Sequence, residues 1–460
     1  MNSRVLIILC CLLSLSTFSQ SKTTFSKKEV LEDLYTMREF LVNAHCNLFA
    51  YTTEEEFNSV YEELKNSIHK DSLTLLETTI FFQQLTSSVN NGHTEIDFPS
   101  QSYREYAQSG IGTLFPLELA FEDDKTLVRK NWSDNESIEI GSEVVSINGI
   151  SMSEILSKIY RQVSAERTYF KNVKIEMYSF PRYYWQVFGE QNSFKIEIRT
   201  NQTVKKYLLK AIGLIEDYET RRTEVLNAQM NLRFINKTAY LNPGNFGGNE
   251  QKYRQFIDVA FVKIKKKNSD NLIIDLRNNT GGNNSFSDYL VSYIANKPFN
   301  WNSRLTLKTS EFLKEHTRQY NDTTDTYFQE ILSRKNGEVY NYSFENHDPQ
   351  PKSKRFEGHV YALINRQSHS QSALCAAQIQ DYNFGTIVGE ETGDYASLYG
   401  SQFQYQLPNT SIVVKVSKGY IVRVNGDTNE QGVIPDIYIR DHLLDETDEI
   451  LSELLNRISE

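Results

Sequence analysis

Two turns of the chain combine residue types that could do chemistry. The segment NLIIDLRNNTGG ends in Gly281 and Gly282, and a glycine turn lets a backbone N–H approach a ligand closely. The segment NRQSHSQSALCAAQIQDY carries Ser370 where a strand passes into a helix, a place that exposes the hydroxyl above the helix amides. Together the turns could supply the nucleophile and the oxyanion-binding donors of acyl transfer. Either turn alone is also typical of an ordinary α/β sheet.

The segments around these turns alternate between strand and helix from about residue 230 onward. Apolar strands (KTAYLNP, NLIIDLR, HVYALIN and GTIVGE) are separated by helical segments (EQKYRQFIDVAFVKIKKK, SFSDYLVSYIAN and SALCAAQIQDY). This alternation predicts a largely parallel sheet covered by helices. Catalytic groups in such sheets gather at the carboxyl ends of the strands. The glycine turn and Ser370 both follow strands, which favours the acyl-transfer interpretation.

Residues 21–98 are predicted to form a helical domain. A capping-box pattern at Thr53 starts one helix, and a later helix ends at the sequence NNG just before His93. A single histidine in such a place is usually a surface or packing residue. His93 is also a candidate base, because imidazole accepts and returns protons near neutral pH.

Residues 105–212 contain short alternating strands and predict a β-rich module. Within it, IEIGSEVVSINGISMSEIL resembles a PDZ domain, a module that binds peptides by adding a strand to a sheet edge. Residues 167–191 are rich in tyrosine, phenylalanine and tryptophan. We interpret this segment either as an extra packing layer or as a surface that faces substrate.

Length and charge limit the classes of function. A chain of 460 residues predicts two to four domains. The formal net charge of −10 gives no basis for binding nucleic acid or anionic membranes. The glycine turn lacks the Lys-Ser/Thr pair of a phosphate-binding loop, and no Cys, His and Asp spacing is typical of a metal site. We therefore expect no cofactor, no metal and no nucleic-acid partner.

The first twenty residues are predicted to be a signal peptide. Residues 1–20 hold a basic start, a short apolar run and a small, polar end. The apolar run is too short for a confident membrane span. Cys10 and Cys11 raise the question of a lipid anchor, but leucine precedes Cys10 where a small residue would be expected. We expect an exported protein, periplasmic or extracellular, with no membrane span after cleavage.

The chain resembles the carboxyl-terminal processing, or tail-specific, serine peptidases, the family that also contains tricorn protease. The resemblance rests on DLRNNTGG, SHSQSAL, IVGEETGD and QGVIPDI, and it covers nearly the whole mature chain. It implies an α/β fold of three parts. These are the N-terminal helical region, the PDZ-like module and, over residues 220–460, a crotonase-like or ClpP-like αβ peptidase core with a mostly parallel sheet.

The resemblance also implies the residues that act on substrate. It places the nucleophile at Ser370, with the serines two positions to either side as competitors. It places the oxyanion hole at the backbone N–H of Gly281 or Gly282 together with that of Gln371. Such donors act where negative charge develops in the transition state.

The general base departs from the best-known branch of this family. That branch uses a lysine, where this chain has Tyr395, and a side chain with an ordinary pKa near 10 is a poor base. The tricorn-like branch uses a histidine and a distant glutamate, which match His93 and Glu430. Tricorn has a serine before its histidine, where this chain has Gly92, so the link to Glu430 stays open. His369 is a rival base whose side chain is expected to point away from the nucleophile.

The resemblance implies an exported serine endopeptidase that hydrolyses peptides or protein carboxyl-terminal tails. The alternative is a non-catalytic protein on the same fold that binds peptides or small lipids. The missing lysine favours the alternative, whereas the retained serine, histidine and glycine turn favour hydrolysis. No feature of the sequence indicates an oligomeric state.

Overall fold

The structure, a computed structural model, describes residues 22–109, 112–222 and 229–459. The predicted signal peptide at residues 1–20, with its two cysteines, lies outside the described residues. Within the described ranges, the helices lack the combination of length and apolar character needed to cross a bilayer.

Three helices near the N-terminus each begin at a capping box. They are α1 (Lys27–Ala44), α2 (Glu54–Ser67) and α3 (Leu75–Ser88), preceded or separated by the antiparallel strands β1 (Thr24–Ser26) and β2 (Ser72–Thr74). The predicted capping box at Thr53 is confirmed, since its hydroxyl and N–H bond reciprocally with Glu56. The buried faces of these helices pack against Phe403, Val414 and Val416. The N-terminal helices therefore share a core with the far end of the chain.

An antiparallel sheet fills the next part of the chain. Helix α4 (Ser100–Gln108) and strand β3 (Thr113–Leu114) lead into it. Its strands are β4 (Leu117–Glu122), β5 (Lys125–Asn131), β6 (Glu143–Ile147), β7 (Ile150–Ser151), β8 (Ser193–Thr200) and β9 (Thr203–Lys210), in the spatial order β4-β5-β6-β8-β9 with β7 beside β6. Strand β10 (Ile212–Gly213) pairs with β3, and a π-helix (Leu214–Glu219) follows.

Three helices are inserted between β7 and β8. They are α5 (Met152–Tyr160), α6 (Thr168–Tyr178) and α7 (Phe180–Phe188). Phe180 and Tyr184 of α7 are buried in the core of the antiparallel sheet, which confirms the packing-layer interpretation for this helix. Phe170 of α6 instead packs edge-on against His369, with ring centroids 5.0 Å apart. The aromatic insertion therefore also reaches the Ser370 turn.

A six-stranded sheet forms the core of the C-terminal half, as the strand–helix alternation predicts. Its strands are β11 (Asn231–Ile235), β12 (Thr238–Asn242), β13 (Asn271–Asp275), β16 (His359–Ile364), β17 (Thr386–Gly389) and β20 (Ile437–Tyr438) in that spatial order, and all pairs except β11–β12 are parallel. Its helices are α8 (Glu250–Lys266), α9 (Asn284–Ser292), α12 (Gln371–Asp381) and α13 (Glu449–Ser459). Leu272 and Ile274 pack with α8, α9 and α12, whereas Ile273 between them packs with α13.

The remaining strands form a four-stranded antiparallel sheet. They are β14 (Arg304–Lys308), β15 (Val339–Tyr342), β18 (Leu398–Gln406) and β19 (Val413–Val422), in the order β15-β14-β19-β18, with helices α10 (Glu311–Tyr320) and α11 (Thr326–Ser333) between β14 and β15. The long β18–β19 hairpin carries the residues on which the N-terminal helices pack. It thereby holds the end of α3, and the histidine after it, beside the core sheet.

A buried ion cluster ties the antiparallel sheet to the core close to Ser370. The guanidinium of Arg366 lies 3.4 Å from carboxylates of Glu176 and Glu390. It lies 3.9 Å from Glu122 on β4. All four side chains are buried. Because a buried carboxylate left without a partner costs several kcal/mol, the cluster fixes the segment that leads into the Ser370 turn.

Candidate active site

Ser370 lies on a strained turn between β16 and α12. Its φ is 53° and its ψ is −124°, and α12 begins at the next residue, Gln371. A non-glycine residue in such a conformation stores strain, and strain of this kind is concentrated at functional sites. The Ser370 N–H donates to Asp394 Oδ2 at 2.9 Å, which holds the turn in place. The sequence therefore predicted the elbow correctly.

The two neighbouring serines are engaged elsewhere. The hydroxyls of Ser368 and Ser372 both donate to the carbonyl oxygen of Leu276, at 2.9 and 3.1 Å, and both residues are fully buried. Ser370 is half-buried, and its hydroxyl makes no hydrogen bond to any of the residues that the structure describes. Of the three serines, Ser370 is the one whose hydroxyl is free to react.

The glycine turn packs directly on the serine elbow. A Cβ at Gly281 would lie 2.7 Å from the nitrogen of Gln371, and one at Gly282 would lie 1.9 Å from the carbonyl oxygen of Phe246. Both glycines have positive φ, 86° and 135°. The Gly281 N–H already donates to Asn279 Oδ1 at 2.8 Å. Within the described ranges, the N–H groups of Gly282 and Gln371 have no acceptor, so these two are the free donors of the pair of turns.

His93 is held by contacts from separate parts of the chain. Its carbonyl oxygen accepts from Gln402 of β18 at 2.7 Å. Glu95 pairs with Lys415 of β19 through two backbone hydrogen bonds. Lys174 of α6 donates to the carbonyl that precedes His93, at 2.8 Å. The histidine is therefore buried between the hairpin and the helical insertion.

Asn91 locks the same loop from the other side. Its side-chain amide donates to Glu166 Oε1 at 2.8 Å, and its side-chain oxygen accepts from the hydroxyls of Ser417 and Thr94 at 2.7 and 2.9 Å. Glu166 Oε1 also accepts the N–H of Gly92 at 2.8 Å. The loop that carries the histidine has little freedom as a result.

The fold brings His93, His369 and Asp394 together beside Ser370. The Nε2 atoms of His93 and His369 lie 3.8 and 3.5 Å from Asp394 Oδ2, the oxygen that also accepts the Ser370 N–H. The two rings are 5.2 Å apart between centroids. Both ring nitrogens of His93, and Nε2 of His369, are buried without a hydrogen-bond partner.

Burial sets the protonation of this cluster. It lowers the pKa of His93 to about 4, against the opposing effect of the Glu166 carboxylate. It lowers the pKa of His369 well below its ordinary value. It raises the pKa of Asp394 to about 7, although the Ser370 N–H favours the charged form. Both imidazoles are therefore neutral at neutral pH, the form that accepts a proton.

Two acidic residues of the site were missed in the sequence. Asp394 follows the predicted strand GTIVGE, and its place at the carboxyl end of a core strand is a signal that could have identified it. Glu166 lies in the loop before α6, where no local pattern marks it. Both carboxylates are near His93, and Glu166 is the charge that acts on it most strongly.

Gly92 and Tyr395 explain how this site differs from its expected relatives. A Cβ at Gly92 would lie 2.7 Å from Phe170 Cε1 and 3.0 Å from Glu166 Oε2, so a serine at this position would have to displace these side chains. The ring of Tyr395 packs against that of Tyr51, and burial raises its pKa further above the ordinary value. Tyr395 is therefore unsuited to replace a lysine base.

Glu430 is exposed, and its charge raises the pKa of several nearby tyrosines. Among them are Tyr51, Tyr395 and Tyr399, although burial is the larger cause for each. The charges that act most strongly on His93 are those of Glu166, Lys174, Glu95 and Lys415. The orienting role of Glu430 stays a prediction.

Comparison with known proteins finds one family model, one curated relative over a short segment, and solved structures of similar fold. Residues 237–439 match the family model described as Peptidase family S41. A segment of 96 residues is 31% identical to the Tail-specific protease of Haemophilus influenzae, and it spans 20% of this chain and only 14% of that protein. The structure of mature CPAF complexed with lactacystin aligns with a TM-score of 0.63 at 14% identity, over 94% of this chain and 97% of that one. A second structure of mature CPAF gives the same TM-score and identity over 96% of its chain, and at this identity the likeness is one of fold.

Proposed function

We propose that the protein is an exported serine endopeptidase, from the match of residues 237–439 to the model of peptidase family S41 and from the geometry of the site. Its substrates are peptides or the carboxyl-terminal tails of proteins. The observation that carries the proposal is the free hydroxyl of Ser370, on a strained elbow, next to a cluster that contains the buried and neutral imidazole of His93.

Ser370 acts as the nucleophile and His93 as its general base. As Oγ attacks the scissile carbonyl carbon, the neutral imidazole accepts the hydroxyl proton. It then returns the proton to the leaving amine, and water repeats the sequence on the acyl-enzyme. The carboxylate of Asp394, 3.8 Å from His93 Nε2, stabilises the imidazolium that forms transiently. Asp394 also keeps the nucleophile elbow in place through the Ser370 N–H.

The oxyanion hole consists of the N–H groups of Gly282 and Gln371. They are the two backbone donors of the facing turns that have no acceptor in the described parts of the chain. Gly281 contributes by packing against the elbow without a side chain. Each donor aimed at the developing oxyanion is worth roughly 3 to 4 kcal/mol of transition-state stabilisation.

Two carboxylates are candidates for orienting the imidazole. Glu430 matches the glutamate implied by the tricorn-like resemblance. Glu166 is half-buried, its Oε2 atom is inaccessible and has no hydrogen-bond partner, and among nearby charges its charge acts on His93 most strongly. We place Glu166 beside Glu430 as a second candidate, and the two are distinguished by separate substitutions.

The antiparallel sheet of β4 to β9 is the region predicted to be PDZ-like, and we propose that it binds peptide carboxyl termini. This is tested on the Ser370→Ala variant, which should hold peptides without cleaving them. Fluorescence anisotropy with a labelled peptide library would compare free and amidated carboxyl termini. Equal binding of the two forms would argue against recognition of the carboxylate.

Cleavage of a peptide mixture tests the peptidase function directly. The mature protein, made without residues 1–20, is incubated with tryptic peptides from a whole proteome, and new termini are identified by mass spectrometry. We expect new termini with wild type and none with Ser370→Ala. Ser372→Ala is the matched control, because that hydroxyl is bound to Leu276 and should not be needed. Absence of cleavage by folded wild type would favour the alternative, a binding protein on the same fold.

A further inference from the structure

The two histidines and the aspartate beside Ser370 have the geometry of a metal site. His93, His369 and Asp394 each offer one ligand atom, and these atoms lie within 4.8 Å of one another. We propose that this cluster binds a zinc ion, and that the bound ion switches the serine site off by occupying the imidazole of His93. The switching rests on the proposed peptidase function, whereas the binding of zinc does not.

The distances fit a tetrahedral ion. Nitrogen and oxygen ligands at about 2.0–2.1 Å from zinc are separated from each other by about 3.4 Å. The Nε2 atom of His369 lies 3.5 Å from Asp394 Oδ2, and that of His93 lies 3.8 Å from the same oxygen. The three ligand atoms lie within 4.8 Å of one another, and binding of the ion requires the imidazole rings to rotate until all three reach the tetrahedral separation.

Hydrogen bonding does not account for the arrangement. Separations of 3.5 and 3.8 Å from Asp394 Oδ2 are too long for hydrogen bonds to the two imidazoles. Both ring nitrogens of His93 and Nε2 of His369 are buried without a partner, and His93 is only 4% exposed. A buried polar atom left unpaired is destabilising, and a cation bound to one nitrogen of each ring would satisfy that nitrogen.

The ligand types favour zinc over the hard cations. Two imidazoles and one carboxylate suit zinc, whereas calcium and magnesium prefer an all-oxygen shell. Three protein ligands leave a fourth position open, which is the pattern of zinc sites that exchange a ligand. Glu166 and Glu95 place negative charge near His93, which favours a positive ion there, whereas Lys174 and Lys415 oppose it.

Occupation of the site by zinc would remove the base. A metal-bound imidazole nitrogen has no lone pair left to accept the proton of Ser370. The ion would also bind Asp394, whose Oδ2 holds the N–H of the nucleophile. Zinc should therefore suppress the reactivity of Ser370 reversibly, and a chelator should restore it.

Zinc titration of the mature protein tests the proposal. The protein is made without a polyhistidine tag, stripped with a chelator, and titrated with zinc by isothermal calorimetry and with cobalt by visible absorption. We expect one ion per chain. His369→Gln should weaken binding at least about tenfold, because the loss of even a supporting contact to a ligand has an effect of that size. His347→Gln is the matched control, since His347 lies 3.2 Å from Asp288 and this pair has no third metal-ligating side chain among the residues that the structure describes.

Reactivity with a fluorophosphonate probe gives the second readout. For His369→Gln, the rate of probe incorporation with zinc is divided by the rate of the same variant without metal, and this ratio should stay near one because the variant lacks a proposed ligand. If His369→Gln does not fold, Asp394→Asn is used in its place, and its zinc binding is measured by calorimetry only. Either variant should lose the cobalt absorption seen with wild type.

Three outcomes would overturn the proposal or part of it. The proposed metal site is wrong if folded wild type binds no stoichiometric zinc. It is also wrong if His369→Gln binds zinc as tightly as wild type does. If zinc binds but does not slow the reaction of the probe with Ser370, the proposed inhibition by zinc is wrong. If metal-free wild type never reacts with the probe but still binds zinc through His369, the metal site stands and the proposed peptidase function fails.

Discussion

Replacing Gly281 with alanine should disable the site and leave the rest of the fold intact. A Cβ at this position would lie 2.7 Å from Gln371 N, from His369 O and from Ser370 Cβ. Two of these atoms belong to the backbone of the elbow, so they cannot move aside as a flexible side chain would. The elbow itself has to shift, and with it both the nucleophile and the Gln371 N–H.

The size of the effect follows from what the elbow carries. Loss of one oxyanion-hole donor lowers the rate about 10²- to 10³-fold. A displacement of about 1 Å at the reacting atoms has an effect of about 10²-fold. We therefore expect the second-order rate constant for reaction with a fluorophosphonate to fall by about 10²-fold or more in Gly281→Ala.

Gly337→Ala is the matched control for backbone strain. Gly337 has a φ of 80°, close to the 86° of Gly281, but a Cβ there would meet no atom within 4 Å. Both variants should lose about 1 kcal/mol of stability from the positive φ, measured by urea denaturation, and Gly281→Ala should lose more because its Cβ also displaces the elbow. Only Gly281→Ala should lose reactivity, measured as the rate of probe incorporation. If the two variants react equally fast, the assignment of the glycine turn to the site is wrong.

Three further predictions concern the charged groups. Glu166→Gln should slow probe incorporation about tenfold or more, because a base that is poorly oriented loses part of its contribution to the rate. If Glu430→Gln slows the reaction and Glu166→Gln does not, the exposed glutamate has the orienting role. Arg366→Ala should lower the free energy of unfolding by about 3–5 kcal/mol because it leaves buried carboxylates without a partner. The control Arg457→Ala removes only an exposed ion pair and should cost less than about 0.5 kcal/mol, so equal urea midpoints of the two variants would contradict this prediction. His347→Gln should destabilise the protein more at acidic pH than at alkaline pH, because a hydrogen bond to an aspartate raises the pKa of His347 above about 6.5. The stabilisation by His347 is complete below that pH and is lost as the pH rises through the folded-state pKa. A difference in unfolding free energy that does not change with pH would refute this prediction.

The parts of the site that depend on local sequence could be predicted. The glycine turn follows β13 and the Ser370 elbow follows β16, and each is marked by residues close along the chain. The strand–helix alternation predicts a parallel sheet, and β13 and β16 are adjacent parallel strands in it. Their carboxyl ends therefore meet at one edge, which is why the two turns pack together.

The residues that surround His93 could not be predicted from local sequence patterns. The histidine reaches the core sheet because Glu95 pairs with Lys415 and because Asn91 bonds to Ser417 on the long hairpin. These contacts join segments that are far apart in sequence, and a periodic sequence pattern does not predict contacts of this kind. Local patterns also gave no sign of Glu166, which meets the histidine loop only in the folded chain.

The role of Gly92 interpreted from the sequence differs from the role that its contacts in the structure indicate. In the sequence it appears as a missing serine, the loss of a link between the histidine and a glutamate. In the structure its lack of a side chain makes room for Phe170, and its N–H bonds to Glu166. A half-buried carboxylate therefore contacts the histidine loop directly, and a side chain at this position would have to displace the Phe170 ring.

Covalent labelling with a fluorophosphonate, read by intact mass and peptide mapping, tests the central claim most directly. Wild type, Ser370→Ala and His93→Ala are compared as purified mature proteins whose folding is checked by circular dichroism. The account predicts one adduct per chain on Ser370, none in Ser370→Ala, and a rate lowered by about 10² to 10⁴ in His93→Ala. Labelling of His93→Ala at the wild-type rate would show that another group is the base. Folded wild type that forms no adduct at Ser370 would contradict the account as a whole.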